Sequence, residues 1–356
     1  MNPAADTAIE VSGVWKIFGT RAAEALAAIQ AQRLGKREVR EQFGCVVGVA
    51  DASFTVARGE IFCVMGLSGS GKSTLVRHFN RLLEPTAGRI RIGDTDVMSM
   101  DEVALREFRN RQVAMVFQNF GLLPHRTVRD NVAMPLEIRG APKQQRWEEA
   151  ERVIRLVELN GWEDRYAHEL SGGMQQRVGL ARAIAADPQI LLMDEPFSAL
   201  DPLIRRQLQD QFMALSKVMK KTTIFITHDL DEAIRIGHRI AIMKDGRIVQ
   251  IGRPEEIVLA PADDYVAEFV AGISRLKLVR AASIMRPLPT DPEAAAALLA
   301  NSPRVKVDDD LDTLIECAVR HDQALVVVGH DGAALGVLER VDLLRATQGH
   351  TRTHGH

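Results

Sequence analysis

Cysteine is scarce in this sequence, and its three copies, Cys45, Cys63 and Cys317, lie far apart with no C-x-x-C spacing. That usage argues against a disulfide framework and points to reduced thiols in a cytosolic protein. Long apolar runs are missing too. Ile61–Met65, Ile190–Met193 and Leu325–Val328 are short enough to be buried strands and fall far below the ~18–20 residues that span a bilayer. The chain is therefore not expected to cross a membrane, and any part in transport needs a separate membrane partner. The first ten residues carry neither a basic nor an apolar region, so no secretion signal is expected. Neither sign of charge dominates: Lys+Arg 45 against Asp+Glu 47 gives a net charge of -2. Without a basic excess there is no footprint for a nucleic-acid partner. What remains, 356 residues that are 46% hydrophobic and 26% charged, is ordinary globular composition with room for more than one domain.

Along the chain, the alternation at Ile9–Trp15 predicts a strand, and Phe18-Gly19 a turn. Residues 20–47 then read as a surface helical insertion, with Gly35 and Gly44 stopping two short helices. A β-rich stretch from Ala50 ends in the apolar strand Ile61–Met65, and Arg89–Ile92 and Val113–Phe117 are further short strands. Residues from about 120 to 186 read mostly helical. Ile190–Met193, Thr223–Ile226 and Ile240–Met243 alternate with helices, which predicts an α/β core with a largely parallel sheet. Asp245-Gly246 signals a hairpin. Residues 273–282 read as a linker. Beyond it, 283–346 shows the order β-α-β-β-α, and 347–356 reads as a disordered tail whose three histidines carry no fold signal.

The stretch Gly66-Leu67-Ser68-Gly69-Ser70-Gly71-Lys72-Ser73-Thr74 fits G-x-x-x-x-G-K-[ST], between an apolar strand and a helix. Glycines let successive backbone N–H groups curl around phosphates at the positive end of the helix. Lys72 is placed to reach the β- and γ-phosphates, and the Ser73 hydroxyl to ligate Mg²⁺. The apolar strand ending in Asp194 and Glu195 can set Asp194 beside that metal and Glu195 beside the attacking water. Such a loop alone means only nucleotide phosphates. Ser171-Gly172-Gly173-Met174, a hydroxyl cap and two glycines opening a helix, offers a second anion-binding edge.

That segment, Leu170 to Gln176, resembles the L-S-G-G-Q signature of the ABC ATPases, with Met174 where the family has Gln. The resemblance extends further. Gln118 resembles the Q-loop residue that senses the γ-phosphate and metal and links to the membrane partner. Ser198-Ala199-Leu200-Asp201 resembles the D-loop, and His228 the switch histidine at the γ-phosphate. Phe18 resembles the aromatic that stacks on adenine and is preferred over Trp15. The resemblance implies a RecA-like core with an antiparallel β subdomain and an inserted helical subdomain, together spanning 1–272. It implies ATP and Mg²⁺ (held by Ser73, Gln118 and Asp194) and a head-to-tail dimer in which Ser171 acts in trans. A single motif set and no sustained heptads stand against the alternative, a soluble ABC ATPase acting on nucleic acid or ribosomes.

Within the family, three features resemble the glycine betaine/proline/choline importer group. They are the insertion, the phrases Asp201-Pro-Leu-Ile-Arg-Arg and Thr227-His-Asp-Leu-Asp-Glu-Ala, and the C-terminal unit, which is similar to one CBS domain. This implies transmembrane permease subunits, an indirectly coupled substrate-binding protein, and a peripheral place on the cytoplasmic face of the bacterial inner membrane. Only one CBS-like repeat is present, so it is expected to pair with a second copy or to serve as a structural tail.

Overall fold

The computed structural model describes residues 6–118 and 121–348. The chain divides into two compact units, Met1–Val249 and Gln250–His356.

The first unit is organised by a six-stranded sheet in the order Arg247–Gly252, Arg239–Lys244, Ile61–Met65, Thr222–Thr227, Ile190–Asp194, Val113–Val116. Ile61–Met65, Thr222–Thr227 and Ile190–Asp194 are buried at every residue, which is why they read as continuous apolar runs rather than as alternation. The pairings of Ile61–Met65 with its two neighbours and of the strands from Thr222–Thr227 outward are parallel, so these strands finish on one edge. In such sheets ligands bind beyond the carboxyl ends, and the four segments carrying the expected site residues all leave from there.

A second, antiparallel sheet runs in the order Val46–Ala57, Thr7–Phe18, Ala87–Ile92, Thr95–Asp96. The insertion covers one end of it as helices Ala22–Gln32 and Lys36–Phe43, burying Ala25, Ile29 and Val39 against Trp15, Ile17, Cys45 and Val47. Gly44 ends the second helix with a left-handed φ of 64°, as its sequence position suggests. Gly35 does not end the first. Arg33 takes that left-handed turn (φ 55°), and Gly35 starts the second helix, its amide donating to the Glu38 carboxylate at 2.6 Å. Helices Val128–Ile138, Lys143–Leu156 and Gly172–Ala185 form the helical block; Phe120, where it was expected to begin, lies outside the described residues.

The second unit contains helices Pro254–Leu259 and Asp264–Val270. A three-stranded sheet follows in the order Arg304–Lys306, Leu325–Val328, Ala334–Leu338, with helices Leu311–Arg320 and Arg340–Gln348 in the β-α-β-β-α sequence. Residues 273–282 differ from the expected linker. Val279 and Ala281 are fully buried in one cluster with Leu259, Leu311, Leu314 and Leu338, so that stretch is part of the core. Compactness accordingly divides the chain at 249/250 rather than at 272. Thr347 and Gln348 still belong to the closing helix, and the expected tail from 349 lies outside the described residues.

Candidate active site

The phosphate loop owes its shape to two close approaches. A Cβ at Gly66 (φ 153°) would lie 2.2 Å from the Met243 carbonyl oxygen, and one at Gly71 (φ 102°) 2.2 Å from that of Gly48. Only glycine fits either position. The loop then opens the helix Lys72–Phe79, whose first side chain turns back: Lys72 Nζ donates to the carbonyls of Gly66 (2.9 Å) and Leu67 (3.1 Å). Lys72 is buried, and loss of water holds its ammonium below the ordinary lysine range, opposed by Glu195 and Asp194.

Asp194, the last residue of its strand, is buried and accepts a 2.7 Å hydrogen bond from Ser73 Oγ, while Arg77 stands 3.7 Å from its other oxygen. Glu195 follows in a left-handed conformation, φ 48°, which costs a non-glycine residue about 1–3 kcal/mol and needs its surroundings to hold it. Its amide donates to the Ile226 carbonyl (3.0 Å) on the neighbouring strand. Its carboxylate lies 3.8 Å from Lys72 Nζ and 3.0 Å from His228 Nδ1. His228 is exposed at the end of Thr222–Thr227. Gln118, exposed beyond Val113–Val116, donates to Ser198 Oγ at 3.4 Å, and Ser198 Oγ donates to the Glu195 carbonyl at 3.0 Å.

Thus Lys72, Ser73, Gln118, Asp194, Glu195 and His228 converge at one sheet edge. Beside them opens a cavity of about 720 Å³ lined by Ser68, Gly69, Gly71, Lys72, Ser73, Thr74, Gln118 and Glu195, with Phe18 also on its wall. Trp15 is buried in the core of the β subdomain, and Phe18 is 40% exposed. Room for the Phe18 ring comes from Gly48, where a Cβ would lie 2.7 Å from Phe18 Cε2. The oxygen donors Ser73 and Asp194 suit a hard cation. Among the described residues no cluster of three His, Cys, Asp or Glu could cage a metal unaided. A hydroxyl and a carboxylate fit Mg²⁺, which takes one or two protein oxygens and completes its shell with substrate phosphates and water.

The signature residues stand elsewhere. Ser171, Gly172, Gly173 and Met174 are not on the cavity wall; Ser171 Oγ caps the helix Gly172–Ala185 by accepting from the Met174 amide at 3.4 Å. Asp201 caps Pro202–Met219 by accepting from the Ile204 amide at 3.1 Å. Sequence reasoning named Ser198 only within a phrase; its bridging place follows from the turn after Glu195, which no local spacing reports. Lys36, Arg37 and Arg40 of the insertion, read as plain surface, also line the cavity.

Comparisons agree with this geometry. Residues 49–198 match the sequence profile described as ABC transporter. The glycine betaine/carnitine transport ATP-binding protein of Listeria monocytogenes is 52% identical over 277 residues, covering 78% of this chain and 70% of the relative. A trimethylamine N-oxide transport system ATP-binding protein of Ruegeria pomeroyi is 46% identical over 332 residues, covering 93% and 94%. Among solved structures, the dimeric post-hydrolysis state of an ATP-binding cassette bound to ADP and Pi superposes with a TM-score of 0.58 at 29% identity, over 69% of this chain and 98% of that one.

Proposed function

This chain belongs to the ABC transporter family as an ATP-hydrolysing, ATP-binding subunit, and from that premise we propose that it powers uptake of a quaternary-amine osmoprotectant such as choline, glycine betaine or proline betaine, or of a related N-methylated solute. The relatives name glycine betaine, proline betaine, carnitine, choline and trimethylamine N-oxide, and the shared feature of those compounds is a fully substituted nitrogen bearing at least two methyl groups. The quaternary-amine class read from the sequence therefore extends to the amine oxide.

The reading rests on Glu195 held between Lys72 and His228. In it, ATP phosphates lie on the N–H groups of Gly66–Thr74. Lys72 exchanges its loop carbonyls for phosphate oxygens, since a buried ammonium needs acceptors in either state. Ser73, Gln118 and Asp194 would hold Mg²⁺, which would supply charge neutralisation at the phosphates. Glu195 accepts a proton from the attacking water, and His228 fixes that carboxylate and faces the γ-phosphate. Phe18 stacks on adenine.

The signature completes the site from a second copy. Ser171 and Gly173 of one protomer close over the triphosphate on Lys72 of its partner, and Asp201 sits beside that joint. The membrane partner is a separate permease, for among the described residues no helix is long and apolar enough to cross a membrane. A cleft of about 350 Å³, lined by Leu82, Phe117, Met134 and Ile138, begins one residue before Gln118, a fitting place for a permease helix. The subunit would then lie peripherally on the cytoplasmic face of the inner membrane, fed indirectly by a substrate-binding protein. In this reading the cassette spans residues 1–272, and 283–346 is a single CBS-like module that pairs with its copy.

Uptake of labelled choline, glycine betaine and trimethylamine N-oxide is measured in cells lacking the chain and resupplied with it. Restored uptake of at least one supports the reading. Restored ATPase in membranes without uptake of any of them would remove the substrate assignment.

A further inference from the structure

Three cations of the helix Lys36–Phe43 stand on the wall of the phosphate-loop cavity. Lys36 and Arg40 are four residues apart on one helix, a spacing at which like charges repel. Lys36 is engaged elsewhere: its Nζ lies 3.6 Å from Asp245 Oδ1. The adjoining Gly246 amide donates to the Ser70 carbonyl (2.9 Å) in the phosphate loop, and the Gly246 carbonyl accepts from Ala50 (2.8 Å). The helix is thus tied through the 245–246 turn to the loop, and fully buried Val39 fixes its inner face. Among the described residues Arg37 makes an ion pair with Glu41 alone, one turn away on the exposed side, and Arg40 makes no ion pair.

The insertion that carries these guanidinium groups runs between Phe18 and the strand Val46–Ala57. Phe18 pairs with Val46, three residues after the helix ends at Phe43, and Phe18, Val46, Arg37 and Arg40 all line the cavity. A guanidinium is planar, offers five donors and stacks on rings. Ring nitrogens and ribose hydroxyls are its acceptors.

We propose that Arg37 and Arg40 hold the base and ribose end of the bound nucleotide opposite Phe18, making the insertion a third wall of the site. This rests on the nucleotide reading above. The test titrates the full chain with a fluorescent ATP analogue and displaces it with ATP or with inorganic tripolyphosphate. Arg40→Ala and Arg37→Ala should each weaken ATP about three- to tenfold, one charge-assisted contact apiece, and shift tripolyphosphate less than about twofold. Both side chains are exposed, so melting temperatures should be unchanged. Equal losses for ATP and tripolyphosphate would put the cations on the phosphates and overturn the assignment, as would no loss for ATP. Lys72→Ala in the same assay separates the two readings. If it loses ATP while the arginine variants keep it, only this inference falls; if it binds ATP normally, the nucleotide reading falls.

Discussion

The phosphate loop and the signature segment both set glycines at the start of a helix, yet they use them for different ends. In the phosphate loop Gly66, Gly69 and Gly71 take left-handed φ values, and the backbone curls until its own carbonyls hold Lys72. In the signature neither Gly172 nor Gly173 is left-handed. Gly173 is small because a Cβ there would meet Ile204 Cγ2 at 2.7 Å, in the helix that Asp201 caps. The phosphate loop lines the cavity together with Glu195; the signature is packed closely against a neighbouring helix and leaves Ser171 exposed and off that cavity's wall. In the head-to-tail dimer proposed above, the two segments would be the two halves of one site.

The strongest way to break this comparison is Lys72→Ala. Losing the buried cation should lower hydrolysis at least about 100-fold, as removal of a charge-stabilising group does; steady-state phosphate release checks it. Glu195→Gln should cost about as much in turnover while leaving ATP binding intact, so a nucleotide-bound dimer should accumulate in size-exclusion chromatography. Normal turnover by that variant would take Glu195 out of the water's path.

The sharpest test of the division itself is mixing. Ser171→Glu places a carboxylate against phosphate and should be inactive alone, as should Lys72→Ala. A one-to-one mixture should recover about a quarter of the wild-type rate, because half the dimers are mixed and each of those keeps one intact site. No recovery would place both residues in the same site within one chain.

Smaller effects concern the scaffold. Arg286 donates to the nearly buried Asp342 (2.9 Å) and bridges Glu339 (3.1 Å) in the second unit, and the Asp342 carboxylate raises the arginine above its ordinary range. Arg286→Ala should cost about 1–3 kcal/mol of stability there, read by urea unfolding, with cassette hydrolysis unaffected. The smallest expected effect involves Glu232, which burial raises above the ordinary carboxylate range even as it accepts from Gln209 at 2.9 Å. A raised native value means the folded state binds the extra proton. Stability should therefore fall as pH rises from the ordinary carboxylate range to the raised value. Glu232→Gln should flatten that slope in melts across pH, and an unchanged slope would assign it to other groups.

Much of this was legible in the sequence because the motifs bind through backbone and through fixed local spacing. Gly66–Thr74, the strand ending in Asp194-Glu195 and the alternation of strands with helices need only neighbours along the chain. Boundaries were less legible. Residues 273–282 look polar enough for a linker, but Val279 and Ala281 are claimed by partners thirty residues on. Arg33, rather than Gly35, takes the left-handed turn, its amide closing the helix by donating to the Ile29 carbonyl at 2.8 Å.

By itself, then, the sequence determined the chemistry on offer: a cation, a hydroxyl, two carboxylates and a histidine, each at the end of a strand or the start of a helix. Only the tertiary structure decided which of them meet. Parallel pairing brings Met65 level with Thr227 and Asp194 level with Ile226, so residues more than a hundred positions apart share one edge. The same folding turned an apparently plain helix toward the cavity and turned the signature away from it. The physical reason is that contact between distant side chains is set by sheet order and register, which depend on the burial of whole strands and leave no local mark on the residues they bring together.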